Sequence, residues 1–327
     1  MGEPWSSSIR SPMGPSVETS ITLFLMPHVP WNLLNLDRAH LSTVKKLSEN
    51  GKLSKFWIQE LTRPAFEDWV ENEAAPVAII GIGSIEQHGP HLPLGMDSLA
   101  ARYFIHEIAS KSNSVCVHPC WPGYSPHHMK FRGTITFSED TLLNVILDTI
   151  SSLADHGIKR FMLTNHHGGN AEIYKLAMRM AKRYYNVMVA SPTGPSGTEL
   201  AKKQADISKR HWDVHSGINE TAAALVMFPE LVEMYRLEGW KPTLDLGPEL
   251  NKYFDVDRDD YEIVSQVRGA CTPPVNIDFT KDGIYGTGDP NLADAEEYAK
   301  RLKERVDFMV EFIRVWKTIP IPPAFLD

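Results

Sequence analysis

Three short clusters hold most of the residues in this 327-residue chain that could do chemistry together. The first runs Gly83-Ser-Ile-Glu86-Gln-His88-Gly-Pro-His91-Leu-Pro-Leu-Gly-Met-Asp97. The second is Asn165-His166-His167-Gly-Gly-Asn170, and the third is His211-Trp212-Asp213-Val-His215-Ser-Gly-Ile-Asn-Glu220-Thr221. Glu86 and His88 stand two apart, so in an extended segment both side chains point to one side. A carboxylate and an imidazole that converge there are good ligands for zinc or manganese. Asp97 has two readings: a cap for the helix that follows it, or a carboxylate shared between two cations. The glycines after His167 permit a tight turn and leave room for a ligand. Taken singly, these are ordinary loop residues. Gathered at strand ends, they point to metal-assisted chemistry.

The elements that must gather them are legible as an alternation. Pro76 to Gly83 is a continuous apolar run, as expected of a strand buried on both faces. A helix is expected over about 98–110, then a second strand at Val115 to Val117. Leu142, Val145, Ile146, Ile150 and Leu153 mark one helical face, and Gly157 suits the end of that helix. Arg160 to Thr164 reads as a third strand, 171–183 as a helix, and Val187 to Ala190 as a fourth strand. Alternating strands and helices imply an α/β fold with a mostly parallel sheet and helices on both sides. Ligands bind such sheets outside the carboxyl ends of the strands, where the first two clusters stand.

Flanking regions differ in character. Residues 1 to about 20 are rich in Ser, Pro and Gly and read as a flexible arm, and 36–70 carries two amphipathic helical patterns, one with Leu41, Val44, Leu47 and Leu53. The expected organisation is therefore an N-terminal arm and helical extension over 1–55 and a main domain over 56–327. That domain would carry a polar insertion at about 231–275 and close with an amphipathic helix from Ala293 to Trp316.

Composition excludes several classes. With 43% hydrophobic and 23% charged residues the chain can bury a substantial core. The formal net charge of −8, without a dense Lys/Arg run, argues against nucleic-acid binding. No apolar run approaches the ~20 residues a membrane span needs, and no signal-peptide pattern is read at the start. Cys116, Cys120 and Cys271 suit reduced thiols and a cytoplasmic location better than disulfides. Gly81-Ile-Gly83 lacks the third glycine of a dinucleotide-binding fingerprint.

On these motifs the chain resembles the creatininase (creatinine amidohydrolase) family over roughly residues 56 to 315. Tyr124-Ser125-Pro-His-His128 with Gly133-Thr134, and Gly283-Ile-Tyr-Gly-Thr-Gly-Asp-Pro290, add to the likeness. The resemblance implies a three-layer αβα sandwich, commonly assembled as a hexamer, with two divalent ions (Zn, Mn or Fe) per subunit. It places one ion on Glu86, Asp97 and His167 and the other on His88, Asp97 and Glu220, with Asp97 bridging. The family usually has Gly where His166 stands, so His167 is the carried-over ligand and His166 a candidate for the pocket wall.

Two divalent cations generate hydroxide near neutral pH, which adds to a polarised carbonyl. His215, five residues before Glu220, is the candidate proton shuttle, with capping of the next helix as its structural alternative. Ser125, His128, His166, Trp212 and Asp213 are candidate substrate contacts, and His91 a buttress behind the first loop. Creatininases proper place Tyr and Glu directly after the metal-binding His, where this chain has Gly168 and Gly169. A phosphorylated substrate calls for clustered Arg or Lys near the site, and Lys130 with Arg132 is a thin offering. The expected partner is a small polar cyclic molecule, an inositol-derived cyclic diketone of the 3-dehydro-inosose type. Alternatives are a cyclic amide or formamide, or, from another class, a non-catalytic metal-stabilised binding protein. Homo-oligomers are expected.

Overall fold

A computed structural model describes residues 52–210, 213–243, 245 and 280–322. The helical pattern before residue 52, His211, Trp212 and most of the 231–275 insertion lie outside the described residues.

The fold is built around β1 (Val77–Ile82), whose six residues are all buried, as its unbroken apolar run requires. On one side β1 pairs in parallel with β2 (Val115–Val117), Ile79 opposite Cys116. On the other it pairs along its whole length with β3 (Arg160–Asn165), from Val77 opposite Arg160 to Ile82 opposite Asn165. β4 (Met188–Ala190) completes an all-parallel sheet in the order β2-β1-β3-β4.

The two-residue period of the strands sorts their side chains into two cores. Ala78, Ile80, Ile82, Phe161 and Leu163 pack on one face against α3 (Glu139–Asp155) and α4 (Ala171–Tyr185). Val77, Ile79 and Met162 pack on the other against α2 (Met96–Ser112) and α7 (Ala295–Trp316). The result is the three-layer αβα sandwich. Each fully buried isoleucine contributes about 2 kcal/mol, so the sheet centre is the anchor for everything at its ends. α1 (Arg63–Asn72), α5 (Glu199–Arg210) and α6 (Ile218–Met227) complete the described helices. Leu53 already packs against the first core, and its N–H donates to Asn113 Oδ1.

Local chemistry sets the helix ends. Ser138 accepts the Thr141 N–H at the start of α3, with Glu139 and Asp140 in its first turn. Gly157, at φ 96, turns the chain just after it. The start of α2 is capped by Gly95, not by Asp97, which sits inside the first turn with its side chain free for another purpose. Gly83 lets the β1 exit press on α2, since a Cβ there would lie 2.4 Å from Ser98 N.

Candidate metal centre

The five residues implicated as metal ligands come from four segments. Glu86 and His88 follow β1, where Ile85 forms a bridge with Ile135 and Glu86 N–H donates to Leu94 O. Asp97 opens α2, His167 follows β3, and Glu220 lies in the first turn of α6. They converge. His88 Nε2 is 3.3 Å from Asp97 Oδ1 and 3.8 Å from Glu220 Oε2. His167 Nδ1 is 3.2 Å from both Glu86 Oε1 and Asp97 Oδ2. Asp97 thus turns one oxygen toward each histidine.

Hydrogen bonds fix which nitrogen of each ring faces the cluster. A carbonyl oxygen can only accept, so the nitrogen beside one carries the proton. His167 Nε2–H donates to Tyr124 O at 2.9 Å, and His88 Nδ1–H to Glu86 O at 3.2 Å. In the neutral rings the inner nitrogens, His167 Nδ1 and His88 Nε2, therefore present lone pairs to carboxylate oxygens, a contact that a proton or a metal ion must relieve. Lone pair against lone pair is repulsive unless a cation stands between them. Two donors about 2.1 Å from a shared ion lie about 3.0–3.4 Å apart, which is the spacing between His88 and Asp97 and between His167 and both Glu86 and Asp97. Both Glu86 carboxylate oxygens and His88 Nε2 are buried without a hydrogen-bond partner. This donor set fits divalent cations, and an outer N–H held by a carbonyl is the usual arrangement of ligating imidazoles.

The electrostatics agree. Burial pulls the His88 pKa down, but Asp97, Glu220 and Glu86 outweigh it and push it up to about 10. His167 is likewise raised, against burial, by Asp97 and Glu86. Asp97 is held well below its usual range despite burial, because His88 and His167 flank it. Glu220, whose side chain is 31% exposed, is pushed up to about 7 by burial, with His88 opposing and Asp97 adding. Such basic inner nitrogens take up a proton or a metal ion, so cation binding releases protons.

Around this cluster lies a pocket of about 210 Å³. His215 lines it and is buried; its Nε2–H donates to Gln87 O at 2.8 Å, leaving Nδ1 as an acceptor 3.8 Å from Glu86 Oε1 and 4.0 Å from Glu220 Oε2. His128 has the opposite orientation. Gln87 Oε1 accepts from Gly89 N–H and its Nε2 donates to Gly283 O, so that Nε2 also donates to His128 Nδ1 at 3.0 Å. His128 therefore carries its proton on Nε2, 3.4 Å from Glu86 Oε1. Ser125 is fully buried and touches His167 Nε2 at 3.2 Å, so it orients a candidate ligand. His166 lines the pocket. Asp213 accepts the Asn219 N–H at 2.9 Å, which caps α6. Trp212 lies outside the described residues. His91 Nε2 and Thr221 Oγ1 are 2.8 Å apart, buttressing the first loop against α6.

Two participants escaped the sequence reading. His127 offers a nitrogen within 4.8 Å of ligand atoms of Glu86 and His167, and its ring stacks on that of His167 at 5.5 Å. Its one signal was adjacency to His128. Gln87 was passed over because an amide between two expected ligands reads as a spacer. Its side chain and backbone in fact orient both His128 and His215.

Comparison with known proteins adds the family. The Creatininase model, described as creatinine amidohydrolase, matches residues 59–313. The chain belongs to the creatininase family. It is a metal-dependent hydrolase of that family. The mycofactocin precursor peptide peptidase of Mycobacterium ulcerans (strain Agy99) is 28% identical, covering 75% of this chain and 87% of its own. The 3-dehydro-scyllo-inosose hydrolase of Thermotoga maritima is 23% identical over 75% of this chain and 80% of its own. The creatinine amidohydrolase of Pseudomonas putida is 28% identical over 53% and 75%. Among solved structures, a creatinine amidohydrolase shares the fold at TM-score 0.61 and 22% identity, over 83% of this creatininase-family chain and all of its own. A creatininase with Mn and a Zn-Zn form of a creatininase mutant, each 24% identical over the same shares, reach 0.57 and 0.58.

Proposed function

We propose that this creatininase-family hydrolase opens a small polar ring by adding water to a carbonyl, at a centre of two divalent cations. Glu86, Asp97 and His167 would hold one, and His88, Asp97 and Glu220 the other, with Asp97 shared. The observation that carries this reading is the pair of imidazoles whose outer N–H groups are tied to carbonyls while their inner lone pairs face Asp97. Mn and Zn in related creatininase structures suit the same mixed nitrogen and oxygen donors. When bound, such ions supply a nucleophilic water near neutral pH and polarise the carbonyl.

The protein's own groups do the rest. His215 accepts a proton at Nδ1, because Nε2–H is committed to the Gln87 carbonyl, and passes it to the leaving group. His128, with its proton on Nε2, offers a hydrogen bond to a substrate oxygen. Gln87 keeps the two rings in these complementary states.

The ring we favour is an inositol-derived cyclic diketone, in line with the inosose hydrolase relative. Position 169 supports a substrate other than creatinine. A Cβ there would meet Tyr124 O at 2.2 Å, so no side chain fits at the second position after His167, and the carboxylate we assign to the second cation is Glu220 of α6. A second reading, C–N cleavage of a cyclic amide, is favoured by the higher identity, 28%, to a creatinine amidohydrolase and a peptide peptidase. Elemental analysis followed by NMR of the products tests both. About two ions per chain and a product with a new carboxylate but no new amine support the first reading. A new amine selects the second. A chain that cannot be loaded with zinc or manganese overturns the centre itself.

A further inference from the structure

A second cavity, of about 160 Å³, adjoins the first, and the two share Asp97, His166 and Glu220. Its other walls are Gln204 from α5, Asn219 from α6, and Tyr298, Arg301 and Arg305 from α7. Arg301 is only 6% exposed, yet no described carboxylate lies within 4.0 Å of it or of Arg305. Its Nη1–H donates to the neutral Asn219 Oδ1 at 3.0 Å, and its Nε has no hydrogen-bond partner. Glu297 and Asp213 act on Arg301 only from longer range, and Glu297 is engaged with Lys203 at 3.3 Å. The Arg305 guanidinium lies 4.8 Å from the centre of the Phe104 ring, which takes one face of it out of water. His166 Nε2, on the same wall, is also buried without a partner.

Burying guanidinium groups without counter-ions is costly, and orphaned donors that line one cavity call for a polar occupant. The carboxylates that the cavity itself exposes, Asp97 and Glu220, are those assigned above to the cations. With the cations in place, the charge facing the cavity is positive.

We propose that this cavity is an oxyanion subsite, in which Arg301 and Arg305, with Gln204 and His166 beside them, receive a carboxylate or phosphate of the substrate. Planar guanidinium groups with several N–H donors suit either oxyanion. The inference rests on the hydrolase reading and narrows it: the ring opened at the metal centre is an acidic derivative. It also explains how a cationic site arises in a chain whose motifs hold only Lys130 and Arg132.

The test is calorimetric titration of the metal-loaded protein with inorganic phosphate and, separately, acetate. Wild type is compared with Arg305→Gln, Arg301→Gln and the double variant, metal content being measured in each. Arg305 makes no hydrogen bond to a described residue, so its variant keeps the fold even if Arg301→Gln does not. Saturable binding that weakens about tenfold or more in Arg305→Gln, at unchanged metal content, supports the subsite. Tighter phosphate assigns a phosphate ester, tighter acetate a carboxylate. Equal affinity in wild type and the variants places the anion on the metals and overturns the inference, as does no binding to wild type. Loss of metal in wild type is a separate result, and counts against the metal centre instead.

Discussion

Asp97 sends Oδ1 toward His88 and Oδ2 toward His167, while Ser84 Oγ–H donates to Oδ2 at 2.7 Å and holds the carboxylate in that pose. A single side chain therefore joins the two halves of the site. Asp97→Ala is expected to cost both ions, read as a fall from about two per chain to near zero by elemental analysis. His215 stands in a different relation to the cluster, lining the pocket between the His88 and His128 rings. His215→Ala is expected to keep its metal and lose about 10²–10⁴-fold in kcat. Full turnover in that variant would remove His215 from the proton path. Ser125 and Asp213, read from sequence as substrate contacts, touch a candidate ligand and a helix N-terminus respectively.

At the scale of elements, the site depends on three chain segments being tied at the carboxyl end of the sheet. Asn170, fully buried at the start of α4, makes that tie: its Nδ2 donates to Gly83 O at 2.9 Å and its Oδ1 accepts from Tyr124 N at 2.8 Å. The β1 exit carrying Glu86, the loop carrying Ser125 and His128, and the β3 exit carrying His167 are thereby fixed to one another. Asn170→Ala leaves a buried carbonyl and a buried N–H unpaired, at a cost of about 2–4 kcal/mol for the two. Urea denaturation should show that loss, and metal affinity should fall with it because the ligand-bearing loops lose their common anchor. An unchanged midpoint would mean that water replaces both bonds.

The whole molecule carries an acid-sensitive balance. His118, whose Nδ1 and Gly81 O are 2.9 Å apart, has its pKa pushed down to about 4 by burial, and burial likewise brings His91 to about 4. In the unfolded chain both would titrate near 6.5. Below that value the unfolded state takes up protons that the folded state refuses, so stability is full above about pH 6.5 and is lost as pH falls toward 4. Each site contributes a loss of up to about 3 kcal/mol over that window. Thermal melts of the chelator-treated protein should show Tm falling over this range, and His118→Gln should make the fall shallower. A Tm independent of pH between 6.5 and 4 would contradict the assignment. Among the described residues no helix is long and apolar enough to cross a membrane.

The sequence by itself determined the sheet and the motif residues. An unbroken run such as Val77 to Ile82 can bury both its faces only inside a layered fold, and Glu86, His88, His167 and Glu220 stand in or beside loops that leave strands or open helices. Those signals are local, carried by periodicity over a few residues. Only the tertiary structure decided what lies between the motifs. Asp97, legible as either a helix cap or a shared carboxylate, turns one oxygen to each of His88 and His167 because α2 docks on the β1 exit. The orientations of His128 and His215 follow from hydrogen bonds to Gln87, and Gln87 Nε2 is held by Gly283, 196 residues further on. Arg301 and Arg305 reach the site because α7 packs beside α2 and α6, a contact set by burial of apolar faces distant in sequence. Proton positions and counter-charges are properties of neighbours in space, and no spacing along the chain encodes them.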